Sequence, residues 1–227
     1  MLEKKNLFPL VTVDIALFTI DGGALKVLLA KRTNAPYAGQ WALPGGALDP
    51  DVDSDLSAAA NRVITSKLGL TLAHIEEVGS FSGAARDPRG WSIAVLFLAL
   101  LPMDQVPAIA GKRVDAVEWV KVSDLPELLA FDHPLLVNRA VEHLKNKVAR
   151  NVLPVHMLPE KFTLTQLQKT MEAVLGIAIE KSAFRRRLKE RHFDDLEEVV
   201  GEFERGVQRP AQLWRARAGF RRRVYRA

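Results

Sequence analysis

The chain has 227 residues, 48% of them hydrophobic, and no cysteine. That size allows one large domain or two small ones, the apolar content excludes a disordered chain, and the missing cysteine excludes disulfides and thiolate metal sites and fits a reducing, cytoplasmic setting. The net charge of +5 is unevenly placed: residues 1–150 hold 16 Lys and Arg against 17 Asp and Glu, and residues 151–227 hold 16 against 10, so a polyanionic partner is expected of the second part unless its surface is merely basic.

The opening MLEKKNLFPL has no long apolar stretch, so no signal peptide is expected. Leu10–Ile20 alternates and is rich in β-branched residues, which predicts a strand; Asp21-Gly22-Gly23 is a turn and Leu25–Lys31 the return strand. A Pro- and Gly-containing loop, 34–40, leads to a short strand at Trp41–Leu43. Ser54–Leu68 has helical spacing of Leu56, Ala60, Val63, Ile64 and Leu68. Ile75–Phe81 and Trp91–Leu101 are further strands. The most apolar run, Ile93–Met103, contains a proline and is too short to span a bilayer. Val114–Val122 is another strand, Pro126–Ala130 a short helical piece, and Pro134–Ala149 a longer amphipathic helix. Asn151–Glu160 carries Pro154 and Pro159 and is taken as the domain boundary, giving domains 1–150 and 151–227. Beyond it, Thr163 caps a helix running to Leu175, which Gly176 stops. A basic helix over Ser182–Arg191, a strand at Leu196–Phe203, a turn at Arg205–Arg209 and a return strand at Ala211–Arg217 complete a winged helix-turn-helix.

Residues 41–70 read WALPGGALDPDVDSDLSAAANRVITSKLGL. Gly46, Arg62, Ile64, Gly69 and Leu70 match the glycine, arginine and aliphatic positions of G-x5-E-x7-R-E-U-x-E-E-x-G-U, where U is aliphatic, if the first loop holds two extra residues. The stretch resembles a Nudix box, the strand–loop–helix–loop module that hydrolyses nucleoside diphosphates linked to another group. Its three helical glutamates are replaced by Val63, Ser66 and Lys67, which share one helix face. Mg²⁺ requires oxygen ligands, chiefly carboxylates, so this face is a poor metal site. Asp49, Asp51, Asp53 and Asp55 crowd the preceding loop, either as a substitute metal site or, as preferred, as solvated residues and helix N-caps.

The order KRTNAPYAGQWALPGG, RDPRGW at 86–91, AFDHP at 130–134, LPEKFTLTQLQKTMEAVLG, KSAFRRRL at 181–188 and RPAQLW at 209–214 extends the resemblance over nearly the whole chain. It is similar to the Nudix-related transcriptional regulators of NAD metabolism, the NrtR family. The resemblance implies an α+β chain: an N-terminal Nudix α/β/α sandwich that senses ADP-ribose or a related nucleotide, followed by a C-terminal winged helix that binds an inverted-repeat operator as a homodimer. No cofactor is required on this reading. Ala183 departs from the polar residue expected there.

Arg86 and Arg89 are expected to present bidentate forks to a diphosphate, the alternative being an Arg86–Asp87 surface ion pair. Arg32, Trp41, Gly45, Gly46 and Lys67 complete the expected effector site, although Trp41 also suits core packing. His133 lacks metal-ligand spacing and is expected to be packed or hydrogen-bonded. The DNA surface is expected to include Thr163, Thr165, Lys181, Ser182, Arg185, Arg186, Arg187 and Lys189, with Arg205, Gln208 and Arg209 on the wing tip. Successive arginines diverge by about 100°, so only one or two of residues 185–187 enter the groove. Three functions follow: a catalytically inactive, ligand-responsive DNA-binding regulator, an active Nudix hydrolase, and a scaffold that binds protein. The first is preferred.

Overall fold

The protein is described from a computed structural model defining residues 8–72, 74–105, 116–192, 194–204, 210–218 and 220. Leu10–Asp21 forms β1 and Ala24–Lys31 forms β2, paired antiparallel through a turn in which Gly22 and Gly23 have φ of 58° and 76°. Only glycine adopts successive positive φ angles without a Cβ penalty. Trp41–Ala42 is β3, Gly45–Ala47 is β4, and Leu56–Leu68 is α1. His74–Gly83, Ser92–Leu100 and Val117–Lys121 are β5, β6 and β7, and His133–Val148 is α2. The sheet runs β3-β2-β1-β6-β5, with β4 paired to β1 and β7 to β2. β1 and β6 are parallel, with Leu10 opposite Ser92 and Phe18 opposite Leu100.

Alternation along the strands sorts the core into two layers. Val13, Ile15 and Leu17 of β1, with Val95 and Phe97 of β6, meet Ala59, Ala60, Val63, Ile64 and Leu68 of α1. Ala16 and Phe18, with Leu96 and Leu98, face the other way and meet Leu136, Val137, Ala140 and Leu144 of α2. The result is the expected α/β/α sandwich. α1 begins where Asp55 accepts the Ala58 N–H at 2.7 Å, and ends at Gly69, φ 67°.

Two local expectations are corrected. Pro126–Ala130 is not helical: a 3₁₀ turn lies earlier, at Val122–Asp124, and Leu125 is extended with ψ 140°. The residue before a proline avoids the helical region because the proline ring crowds it. Leu129 instead bridges Trp41, and the Ala130 N–H donates to the Trp41 carbonyl. Asp53 is buried rather than solvated. The guanidinium of Arg62 grips both its oxygens at 2.7 and 2.6 Å, tying the long loop to α1.

In the second part, Phe162–Thr163 is β8, Leu164–Leu175 is α3, Lys181–Arg187 is α4, Leu196–Glu204 is β9 and Ala211–Ala216 is β10. The small sheet runs β8-β10-β9, giving a winged helix. Thr163 and Gln166 form a reciprocal capping box at the start of α3. The basic helix is shorter than expected: α4 ends at Arg187 and a wider π-type turn continues over Leu188–His192. The expected wing tip at 205–209 and the residues Val114 and Asp115 lie outside the described residues. Among the described residues, no helix is long and apolar enough to cross a membrane.

The two parts share one continuous core. The apolar layer beneath α2 runs through Leu153, Val155 and Met157 to Phe162, Leu167, Met171 and Val174, then to Phe184 and Leu196. Stacked rings extend the join: His74 lies 4.8 Å from His156, which lies 5.9 Å from Phe220. Leu167→Ala, at a fully buried position, should therefore cost about 2–5 kcal/mol and lower the stability of the whole chain. Urea unfolding followed by tryptophan fluorescence and far-UV circular dichroism should show one shifted transition by both probes; two separated transitions would contradict a shared core.

Candidate functional site

Where β1 begins, the ends of several strands enclose a cavity of about 670 Å³. Six of the seven expected effector residues, Arg32, Gly45, Gly46, Lys67, Arg86 and Arg89, line it. Trp41 does not; it packs against the core beneath α2. The lining carries Lys31, Arg32, Lys67, Arg86 and Arg89 against Asp14 and Asp87, so the cavity favours an anion.

The glycines are there for close approach. A Cβ on Gly45 would fall 2.1 Å from an oxygen of Asp14 and 2.9 Å from the Val13 carbonyl, and one on Gly46 would fall 2.9 Å from a methyl of Val63. Val63 thus seals the β4 strand apolarly at the position where the Nudix pattern carries a glutamate. Ser66 donates to the Val63 carbonyl at 3.4 Å and Lys67 donates to the Gly45 carbonyl. Among the described residues, no group of three or more His, Asp and Glu is placed to hold a metal ion.

The arginines are not the open forks that were expected. Arg86 donates from Nε and Nη2 to the two oxygens of Asp132 at 3.1 and 2.9 Å, and from Nη1 to Ser92 at 3.2 Å. Its side chain is 8% exposed, so it is no surface pair, and Asp87 belongs to Arg89 instead. Burial pushes the Asp87 carboxyl up, but the bonds from Arg89 outweigh it and hold the group below its ordinary range. Arg32 donates from Nε to the Pro36 carbonyl at 2.8 Å and lies 4.7 Å from the centroid of Phe131. Arg32, Arg86 and Arg89 are each pre-positioned by a partner, which lowers the ordering cost of receiving a ligand.

Asp14 and His133 form the floor. Burial holds His133 near a pKa of about 3, so the ring is neutral. Its Nδ1 accepts the Leu43 N–H at 2.8 Å, which assigns the proton to Nε2, 3.7 Å from Asp14. The expected packed, hydrogen-bonded histidine is what the structure shows. Burial raises Asp14 to about 6, against the opposing pull of Arg86 and Lys67. Asp14, Phe131 and Asp132 were not expected at the site. An acid inside the apolar strand LVTVDIALFTI was the available signal for the first, because a buried carboxylate is costly without a purpose.

On the second part, Lys181, Ser182, Arg185, Arg186 and Lys189 are exposed, while Phe184 and Leu188 anchor the helix. Glu180 caps α4 through the Ser182 and Ala183 N–H groups, and bonds from the Ser182 hydroxyl and these amides hold it down at about 2. The Ser182 hydroxyl is therefore already engaged by Glu180. Thr165 is exposed, but Thr163 is 3% exposed and occupied as a cap, so it does not face outward. Arg187 is half-buried and turned inward: Nη2 donates to the Val148 carbonyl at the end of α2, at 2.9 Å. Arg205, Gln208 and Arg209 fall outside the described residues. β9 carries Glu197, Glu198, Glu202 and Glu204, so the basic surface belongs to α4 rather than to this strand.

A cation-lined α/β/α sandwich sharing its core with a winged helix defines a two-domain Nudix–winged-helix protein. Residues 9–139 match the NUDIX domain family and residues 154–216 match the NrtR DNA-binding winged helix domain. The "ADPR responsive transcriptional repressor NtrR" of Acinetobacter baylyi is 41% identical over 208 residues, 91% of this chain and 82% of that protein. Shewanella oneidensis NrtR, in a crystal structure with a 27mer DNA, superposes with a TM-score of 0.82 at 35% identity, covering 91% of this chain and 93% of that one. The NUDIX domain of the same Shewanella protein, solved with ADP ribose, superposes with a TM-score of 0.55 at 36% identity over 61% of this chain and 90% of that one. The chain belongs to the NrtR family of Nudix-related regulators.

The raised Asp14 gives a signed pH effect. The folded protein holds this proton at about 6, whereas the unfolded chain releases it near 3.8. Asp14 thus costs nothing below pH ~4 and becomes a destabilising charge as pH rises through about 6, by at most about 3 kcal/mol at 1.36 kcal/mol per pH unit. Asp14→Asn should melt with the unaltered protein at pH 4 and several degrees above it at pH 8. Equal melting at both values would place the Asp14 carboxylate in a solvated setting.

Proposed function

We propose that the chain is a transcriptional repressor whose operator binding is modulated by ADP-ribose or a related nucleotide held in the cavity, with no hydrolysis of that ligand. The observation that carries this reading is the contrast within one site. A cavity rich in guanidinium groups is preserved, while the α1 face that would hold Mg²⁺ presents Val63, Ser66 and a lysine bonded to Gly45. Those residues do not fit a Mg²⁺ ion, whose ligands are oxygens, so no metal-assisted step is assigned to them. The ligands named for the Acinetobacter and Shewanella relatives support the nucleotide and the DNA.

On this reading residues 1–150 receive the nucleotide through Arg32, Lys67, Arg86 and Arg89, with Gly45 and Gly46 letting the β4 strand close on β1. Residues 151–227 meet DNA through Lys181, Arg185, Arg186 and Lys189, with Thr165 at the edge and Arg205, Gln208 and Arg209 as wing contacts. The chain acts in the cytoplasm as a homodimer on an inverted repeat, half-sites about 10 bp per turn apart or a multiple of that.

Four measurements test this. A gel shift on the DNA upstream of the chain's own coding sequence should show a salt-sensitive complex that ADP-ribose alters. Arg186→Glu should abolish that complex and leave ADP-ribose binding, by calorimetry, unchanged; loss of both ligands in a folded variant would refute the division of labour. Incubation with ADP-ribose and Mg²⁺ or Mn²⁺ should release no AMP, and turnover of roughly 1–10³ per second would make the protein an enzyme. Arg86→Ala and Arg89→Ala should each weaken ADP-ribose binding about tenfold, and unchanged affinity in both would move the ligand elsewhere.

A further inference from the structure

α2 touches both sites with its two ends. At its start, Asp132 holds the N-cap position but makes no side-chain cap bond, and its backbone, φ −94° and ψ 20°, is not the extended one of a capping residue. Both of its carboxylate oxygens go to Arg86 in the cavity. At the other end, the last carbonyls of a helix lack intrahelical donors and carry partial negative charge, and the Val148 carbonyl receives Arg187 from the basic helix. Sixteen helical residues separate the two contacts by about 24 Å. The helix between them is rigidly seated, since Leu136, Val137, Ala140, Leu144 and Val148 are fully buried.

We propose that Asp132 and Arg187 are a pair of positioning residues that couple the cavity to the DNA-binding helix through α2. This rests on the nucleotide reading above. Arg86 has five N–H donors, of which three serve Asp132 and Ser92. A phosphate that takes the remaining two, one on Nη1 and one on Nη2, sets a second anion beside the Asp132 carboxylate, and like-charge repulsion favours the release of Asp132. The released Asp132 carboxylate has a second partner in the first turn of α2, where a negative charge is favoured: the Leu135 N–H, held at 3.0 Å by the Asp132 carbonyl, since Pro134 has no N–H and the His133 N–H donates to the Ala130 carbonyl. Asp132 is thus a two-position element: on Arg86, or on its own helix as a true N-cap. The change of its backbone to the extended form shifts the axis of α2, and the Val148 carbonyl moves with it. Arg187 passes that movement to α4, with Arg185 and Arg186 on its outer face. Phosphate in the cavity and loss of the Asp132 carboxylate push the equilibrium the same way, so the mechanism supplies the differential contact that coupling demands.

Arg187 then differs from its neighbours in a measurable respect. A residue that neutralises a DNA phosphate lowers the salt dependence of binding by about one unit of slope when removed, and one that only positions the helix does not.

The test uses the full chain and the upstream DNA, with Asp132→Asn, Arg187→Gln and Arg187→Lys. Anisotropy titrations are run with and without saturating ADP-ribose, across a salt series, beside calorimetry of ADP-ribose alone. The unaltered protein should change its operator affinity by roughly tenfold, within the usual range of coupled sites. Asp132→Asn and Arg187→Gln should each bind ADP-ribose, and without it should bind operator at the unaltered protein's nucleotide-saturated affinity. Adding ADP-ribose should then change that affinity by less than about twofold. Arg187→Lys, which still offers a donor to the Val148 carbonyl, should restore at least half of the response on a logarithmic scale. The salt slope of Arg187→Gln should equal that of the unaltered protein. If both substitutions keep the full response, or if Arg187→Gln loses about one unit of slope, the coupling is overturned while the nucleotide reading stands. If the unaltered protein itself does not respond to ADP-ribose, the nucleotide reading falls and the coupling with it. Should Arg187→Gln fail to fold, Asp132→Asn decides, because it alters the opposite end of the helix.

Discussion

The structure depends on α2 being buried from two directions. One side closes the sheet over Ala16, Phe18, Leu96 and Leu98, and the core continues from it into α3 through Leu153, Val155, Leu167 and Val174. Apolar area removed from water stabilises at roughly 25 cal/mol per Å², so a helix shared by two layers cannot shift without disturbing both. A flexible tether would have left the two parts independent. Here the cavity and the basic helix are two ends of one packed body.

That constraint explains the placement of charge. Arg86 and Asp132 sit where the sheet, the 84–91 loop and the start of α2 converge. There a guanidinium can be held in a bidentate grip and still face the cavity. A partly desolvated pair of this kind fixes geometry more than it adds net stability. Asp14 beneath it is a buried acid among cations, a costly arrangement of the kind that clusters at functional sites. The neighbouring α1 face shows the opposite economy. Val63 fills the space over Gly46 and Lys67 folds onto the β4 strand, so a surface that would bind metal as a cluster of glutamates packs as ordinary protein.

The basic helix follows the same logic. Of three successive arginines, Arg185 and Arg186 point outward and Arg187 inward, as the 100° step of a helix requires. Two of the four glutamates of the acidic β9 strand are paired within the molecule, Glu202 with Lys161 and Glu197 with Arg215. Among the described residues, Lys181, Arg185 and Arg186 give α4 an exposed basic face.

Much of this was legible in the residues. Strand alternation in LVTVDIALFTI, the helical spacing from Leu56 to Leu68, the Thr163 cap and the Gly176 stop are local properties, and local sterics and hydrogen bonding suffice to determine them. The glycine frame and the missing glutamates were equally plain, because a motif is a pattern of side-chain chemistry at fixed spacing. Three matters required the fold. Arg86 found its partner 46 residues away and Arg187 found its own 39 residues away, and no local spacing encodes such pairs. Trp41 and Thr163 have chemistry suited to ligands, yet packing turned the first into the core and capping consumed the second. The helical expectation at Pro126–Ala130 failed because the proline crowds Leu125 and the following backbone pairs with Trp41 instead. Sequence determined which residues could serve; tertiary packing decided which of them still had a free face.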